Sequence, residues 1–441
     1  MTKKLSNLSI TFLLHIGFYL LALGIAAQTG ILKNMPSSAN VARFDCVFYH
    51  SIAYENYFAK YEDGGGNTGF FPLFPFFWHL LQTDYLGISI FNLLISLASI
   101  YWLAFELKLK RHEILLYLSM PSFIFFYLPL SEAVFFLFST CIIIGLYKEN
   151  KYLTFFGFLM ASMARPSSII FIPALFLMEV LTLDKKNIWQ QAKDAFINTF
   201  ASFLGLATIV IYQWQKTGIW FAYFNTQSKY ASRVFSIPSP NFAIWNIKNL
   251  SNDGFALWTG LVAATVILLG LLAKIWKKEQ IKTLYIDKIP KYVLFSILFV
   301  AGIAMLNVLA NPKTTDGRTA LMAENRYVIS NPFFFIALIY ALANLGNYSK
   351  NILKILSVSA FLIFLSLCEY NGFPELKEQY LIKSDVLTVF LGFCFLAYLH
   401  SFLFMAWKKE WQREIFMGLY IIQVMLQIFH FNQFMLGEWV G

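Results

Sequence analysis

Charge is what this 441-residue chain has least of. Asp, Glu, Lys and Arg together make up 13% of it, about half the roughly 25% of an ordinary soluble domain. That shortage excludes a water-soluble enzyme and a disordered segment. Cysteine is equally thin. Cys46, Cys141, Cys368 and Cys394 are too scattered for a disulfide framework, and no pair has metal-ligand spacing. No Walker A loop, HExxH, GxSxG or Cys-x-x-Cys occurs, and the 6 histidines form no ligand cluster. Neither a metal nor any other cofactor is expected.

What is abundant is apolar. Hydrophobic residues reach 58% and aromatics 19%, with 48 Phe, a composition suited to solvation by lipid. A spanning helix needs about 20 mostly apolar residues, and shorter ones occur where the protein tilts them or thins the bilayer. By that criterion the expectation is an all-α polytopic membrane protein, one transmembrane domain over 1–441 with about thirteen spans. They fall near 9–29, 86–107, 113–128, 132–147, 152–163, 166–182, 196–215, 255–275, 291–310, 328–346, 351–368, 385–406 and 414–436. Lys3 and Lys4 precede the first, whose apolar stretch exceeds a usual signal core, so it reads as an uncleaved anchor.

The formal charge of +10 is then a topology signal. With the N-terminus inside, most of the 34 Lys and Arg fall in short cytoplasmic loops, as at Lys108, Lys110, Arg111, Lys277 and Lys278. No basic run interleaved with aromatics points to nucleic acid. Four longer segments face outward, near 30–85, 216–254, 311–327 and 369–384, and loops of that length are usually functional when they are ordered. Any chemistry is therefore expected on the extracytoplasmic side, of a bacterial inner membrane or of the endoplasmic reticulum.

The first outer segment is the most informative. Phe44, Phe48 and Ile52 recur at four-residue spacing and predict a short interfacial helix with an apolar stripe. Arg43, Asp45, Tyr49, His50 and Glu55 project elsewhere, either into water or into a site. Downstream, Gly69-Phe70-Phe71-Pro72-Leu73-Phe74-Pro75 carries two prolines among bulky aromatics and reads as a rigid wedge that interrupts helix. Glu132, Arg165 and Arg326 sit where hydrocarbon is near, and charges at that depth are costly enough to count as functional candidates. The alternative for them is interfacial snorkelling or a structural salt bridge, Glu132 with Arg165.

Together these residues resemble the GPI mannosyltransferase 2 (PIG-V-like) family, multispan glycosyltransferases of the GT-C class. The resemblance rests on Arg43-Phe44-Asp45 through Tyr57, on Phe70-Phe71-Pro72-Leu73-Phe74-Pro75, on Pro121-Ser122 with Ser131-Glu132, and on Arg165. Gly218-Ile219-Trp220-Phe221 through Gln227 and Arg233, and Arg326-Tyr327, match more loosely. Phe44 stands where the family usually has Trp. The resemblance implies a GT-C-like fold in which interfacial helices of 30–85 carry the catalytic residue and the segments 216–254 and 311–327 line the site. It implies transfer of mannose from a polyprenyl-phosphate carrier to a lipid-linked or glycan acceptor.

The residues are compatible with that reading. A lipid monophosphate donor needs no Asp-x-Asp metal motif, and none occurs. Arg165, Arg326, Arg43 and Arg233 are candidates for the donor phosphate, because a guanidinium fork pairs with phosphate oxygens. Asp45 is the candidate base for the acceptor hydroxyl, since an unperturbed Asp is already ionised at neutral pH. Tyr49, His50, Glu55, Glu132 and Gln227 are candidates for the acceptor or sugar. One-step displacement would invert the anomeric centre. The competing class is a lipid-linked sugar flippase or transporter, which often shows inverted repeats; no repeat is visible, and the polar residues gather on one side.

Overall fold

The computed structural model describes residues 2–60, 65–183, 187–229, 235, 242–244, 250–276, 289–310, 319–321, 323–345 and 410–440. Arg233, the expected spans at 351–368 and 385–406, and the segment 369–384 lie outside the described residues. In chain order the helices are α1 (Thr2–Gln28), α2 (Ser38–Val41), α3 (Asp45–Glu55), α4 (Leu73–Leu81), α5 (Tyr85–Leu107) and α6 (Arg111–Ser119). Then come α7 (Glu132–Tyr147), α8 (Lys151–Ala164), α9 (Phe171–Leu181), α10 (Ile188–Thr217) and α11 (Ala222–Lys229). The last are α12 (Leu250–Trp276), α13 (Lys291–Ala310), α14 (Glu324–Val328), α15 (Pro332–Leu345) and α16 (Glu410–Met435). Among the described residues, β-structure is confined to two short ladders: 59–60 antiparallel with 65–66, and 242–244 parallel with 319–321.

The chain is helical and of membrane type. Among the described residues, five helices are long and apolar enough to cross a bilayer: Asn7–Gln28, Tyr85–Leu107, Ile188–Thr217, Lys291–Ala310 and Arg413–Met435. Glu132–Tyr147, Pro166–Leu181, Asp253–Leu268 and Pro332–Asn344 are apolar but shorter. Apolar side chains project outward from the long helices, among them Leu13, Leu20 and Leu21 on α1, Ile90 and Leu94 on α5, and Phe196 and Phe203 on α10. Exposed apolar surface on this scale marks contact with lipid or partners rather than with water.

The short helix α7 is the centre of the molecule. It is apolar on every face and buried almost throughout, the pattern of a core helix, and it packs against α5, α8, α13 and α15. Phenylalanine supplies much of that packing. The Phe171 ring lies within 6.0 Å of those of Phe135, Phe158, Phe295, Phe299 and Phe333, mostly tilted or edge-on, as ring quadrupoles favour. Two glycines let backbones approach closely. A Cβ on Gly157 would come within 2.7 Å of the Ile142 nitrogen, and one on Gly205 within 2.6 Å of the Leu159 carbonyl oxygen. Small residues at such crossings are how apolar helices gain packing in the absence of water.

Prolines break the helices, and side-chain amides satisfy the backbone groups thus released. After α6 the chain turns at Pro121 into one 3₁₀ segment; α8 ends before Pro166, and α14 ends before Pro332. Asn92 on α5 donates to the carbonyls of Leu128 (2.7 Å) and Leu130 (2.9 Å) around Pro129. Gln427 on α16 donates to those of Leu118 (2.7 Å) and Met120 (2.8 Å). Tyr117 and Ser330 donate to the carbonyls of Asn331 (3.1 Å) and Ser122 (3.1 Å). Broken backbone inside a bundle persists only when it is satisfied in this way.

The wedge at 69–75 differs from its sequence reading. Pro72 precedes α4 and Pro75 lies in its first turn, where a missing N–H costs nothing. The run therefore starts a helix. The stripe on α3 is also rephased: its buried residues are Cys46, Tyr49 and Ile52, while Phe44 precedes the helix and Phe48 is exposed, stacked on Phe70 at 5.1 Å.

Candidate functional site: an ion-pair network at the helix breaks

The three charges expected at membrane depth all sit at helix breaks, and they meet. Glu132 is the first residue of α7, where the helix dipole favours an acid. Arg165 precedes Pro166 and is extended, with φ −149° and ψ 148°, because the proline ring excludes helix from the residue before it. Its side chain thereby leaves the axis of α8 and reaches Glu132, Nη2 lying 3.2 Å from Oε1. Arg326, in the single turn of α14, donates from Nε to the same Glu132 oxygen and from Nη1 to Asp45 Oδ2 at 2.5 Å. Glu132, Arg165 and Arg326 are buried, while the Asp45 side chain is 29% exposed and forms the rim of the network. The second Glu132 oxygen, Oε2, makes no hydrogen bond among the described residues.

Aromatic rings hold the two cations in place. The Arg165 guanidinium lies 5.1 Å from the Tyr327 ring and 5.9 Å from Phe135; that of Arg326 lies 5.5 Å from Trp439 and 6.0 Å from Phe125. Burial works against the Arg326 charge, but Glu132 and then Asp45 outweigh it, so the group stays protonated. A backbone contact supports α14 as well: Asp253 Oδ1 accepts the Asn325 N–H at 2.8 Å.

Asp45 is aimed by an unusual backbone. Phe44 just before it has φ +51° and ψ −129°, a left-handed conformation that costs a bulky residue about 1–3 kcal/mol and persists only where the surroundings enforce it. Here the Phe44 ring is packed 5.6 Å from Phe434 and 5.1 Å from Trp439. Trp439 thus touches both the residue that presents Asp45 and the cation that Asp45 binds.

The other candidates divide. Tyr49, one turn after Asp45, is buried beside the network, its hydroxyl 2.8 Å from that of Ser131; burial raises its pKa well beyond the ordinary tyrosine range. His50 faces away, stacked on Tyr85 at 4.8 Å and edge-on to Trp78 at 5.4 Å. Burial, partly offset by Glu55, lowers its pKa, so the ring is neutral at pH 7. Glu55 and Arg43 are exposed, and neither belongs to the ion-pair network. Gln227 on α11 packs against Gly69, its Nε2 3.3 Å from where a Cβ would stand, a place in the wedge rather than in the network. No group of three His, Cys, Asp or Glu with metal-site geometry occurs among the described residues.

Sequence reasoning did not find Trp439, Phe434, Asp253 or the strain at Phe44. Trp439 lies far along the chain from Phe44 and Arg326, and no local pattern could connect them. No family model matches the chain, and no curated protein or solved structure is significantly similar to it.

Proposed function

We propose that the chain is an inverting, metal-independent glycosyltransferase of GT-C type. It moves a sugar, mannose by the resemblance, from a polyprenyl-phosphate carrier to a lipid-linked or glycan acceptor. In this reading the chain crosses the membrane about thirteen times, and the bias of Lys and Arg toward the short loops argues for chemistry on the extracytoplasmic side. The observation that carries this reading is the juxtaposition of a part-exposed carboxylate, Asp45, with the buried guanidinium pair of Arg165 and Arg326.

Each part has a chemical role in such a transfer. The acceptor hydroxyl attacks the anomeric carbon, the bond from that carbon to the phosphate oxygen breaks, and the hydroxyl proton passes to Asp45. Negative charge builds on the departing phosphate, and preorganised guanidiniums near it stabilise the transition state. Glu132 holds both arginines through one oxygen and so fixes the geometry of the phosphate subsite. Asp45→Asn is nearly isosteric and cannot take the proton, so transfer from a defined polyprenyl-phosphate sugar should fall about 10²–10⁴-fold with folding intact. Turnover at the wild-type rate would remove Asp45 from the mechanism. Transport of the lipid-linked sugar with no product formed would establish the flippase alternative.

A further inference from the structure

The network is electrically closed. Two guanidiniums face two carboxylates, and Arg326 is committed twice, to Glu132 and to Asp45. A phosphate ester entering it cannot simply add to a free cation; it has to take a donor from a carboxylate. The two carboxylates are not equivalent. Glu132 is fully buried, and displacing it would strand a charge away from water. Asp45 is part-exposed and bonds only one arginine of the pair, so it can be released at little cost. Trp439 and Phe125 flank the Arg326 guanidinium and keep it from following.

We propose that Asp45 is a latch on Arg326 and that a phosphate-ester ligand opens it: ligand oxygens replace the carboxylate on Nη1, and the freed Asp45 turns to the acceptor. The inference rests on the transferase reading above and adds an order of events, since the base becomes available only when the phosphate subsite is filled. An unloaded site would keep its base paired, so Asp45 would deprotonate neither water nor acceptor before the phosphate is bound.

The consequence is unusual for a catalytic residue: removing it should improve ligand binding. Full-length protein in phosphatidylcholine nanodiscs is titrated calorimetrically with decyl phosphate and, separately, with inorganic phosphate. Asp45→Asn, and Asp45→Ser as a second route to the same loss of charge, should bind decyl phosphate about tenfold more tightly than the wild type. Asp45→Glu keeps the competing charge and should stay within about twofold of the wild type. The same ordering with inorganic phosphate at equal affinity would retain the latch and assign the subsite to free phosphate instead of lipid. Equal or weaker binding by both neutral variants overturns the latch, while leaving the transferase to its own assay. Absence of binding by any form overturns the latch and the phosphate subsite together.

Discussion

Arg326 donates to two carboxylates that come from different parts of the chain, and Glu132 in turn serves two arginines through one oxygen. Removing the shared carboxylate leaves two buried guanidiniums facing each other. Glu132→Ala should therefore lower stability by about 3–5 kcal/mol, read as a fall in folded yield and thermal midpoint in detergent. Arg165→Lys separates structure from donor binding. An ammonium keeps the charge next to Glu132 but loses the planar fork, so donor KM should rise several-fold with the folded yield near normal. An unchanged donor KM in both Arg165→Lys and Arg326→Lys would leave the phosphate without these partners. Cys46, the residue after Asp45, offers an independent probe of order. Burial first, and the Asp45 charge next, push its thiol well above the ordinary range. With Cys141, Cys368 and Cys394 replaced by Ser, maleimide labelling of Cys46 should be slow in the folded protein and become fast on denaturation. Fast labelling of the folded protein would mean that α3 does not hold its buried face.

At the scale of elements, close approaches fix how the broken helices sit. Gly157 leaves no room for a methyl group against the α7 backbone. Gly157→Ala should force α7 and α8 apart at a cost of about 1–3 kcal/mol, and α7 presents Glu132, so donor KM should rise as well. A neutral outcome on both readings would show that the crossing is looser than its geometry. Helices were the most legible feature of the sequence, because apolar runs bounded by proline and charge declare themselves locally. Each apolar segment expected within the described residues coincides with a helix or with a helix and its flanking turn. Phase was less legible. The Phe44, Phe48 and Ile52 spacing suggested one face, but burial follows Cys46, Tyr49 and Ile52, because the groups packed against α3 come from α4, from Phe70 and from Ser131. Pro75 misled for a related reason: a proline forbids the interior of a helix, not its first turn.

The site assembles from residues far apart in the chain, and its legibility followed that distance. Charges at breaks, Glu132, Arg165 and Arg326, stood out individually because charge is so rare here. That Arg326 joins Glu132 and Arg165 to Asp45 could not be read from spacing, and Trp439 carried no signal at all. The placement of the site across the membrane can be tested on geometry the fold supplies. His50 stacks on Tyr85, so α3 lies at the start of α5, while Lys110 follows the end of α5. That helix has 23 residues, and at about 1.5 Å of rise per residue it is long enough for a hydrocarbon core of about 30 Å. Glu55 and Lys110 should therefore lie on opposite sides of the bilayer. In a background with all four native cysteines changed to Ser, a membrane-impermeant maleimide added to intact cells or right-side-out vesicles should label Glu55→Cys. Lys110→Cys should label only after the membrane is opened. The reverse pattern would put Asp45 and its arginines on the cytoplasmic side, where a polyprenyl-phosphate sugar facing outward could not reach them, and the proposed transfer would fail. Labelling of both positions in intact vesicles would deny that α5 crosses the membrane.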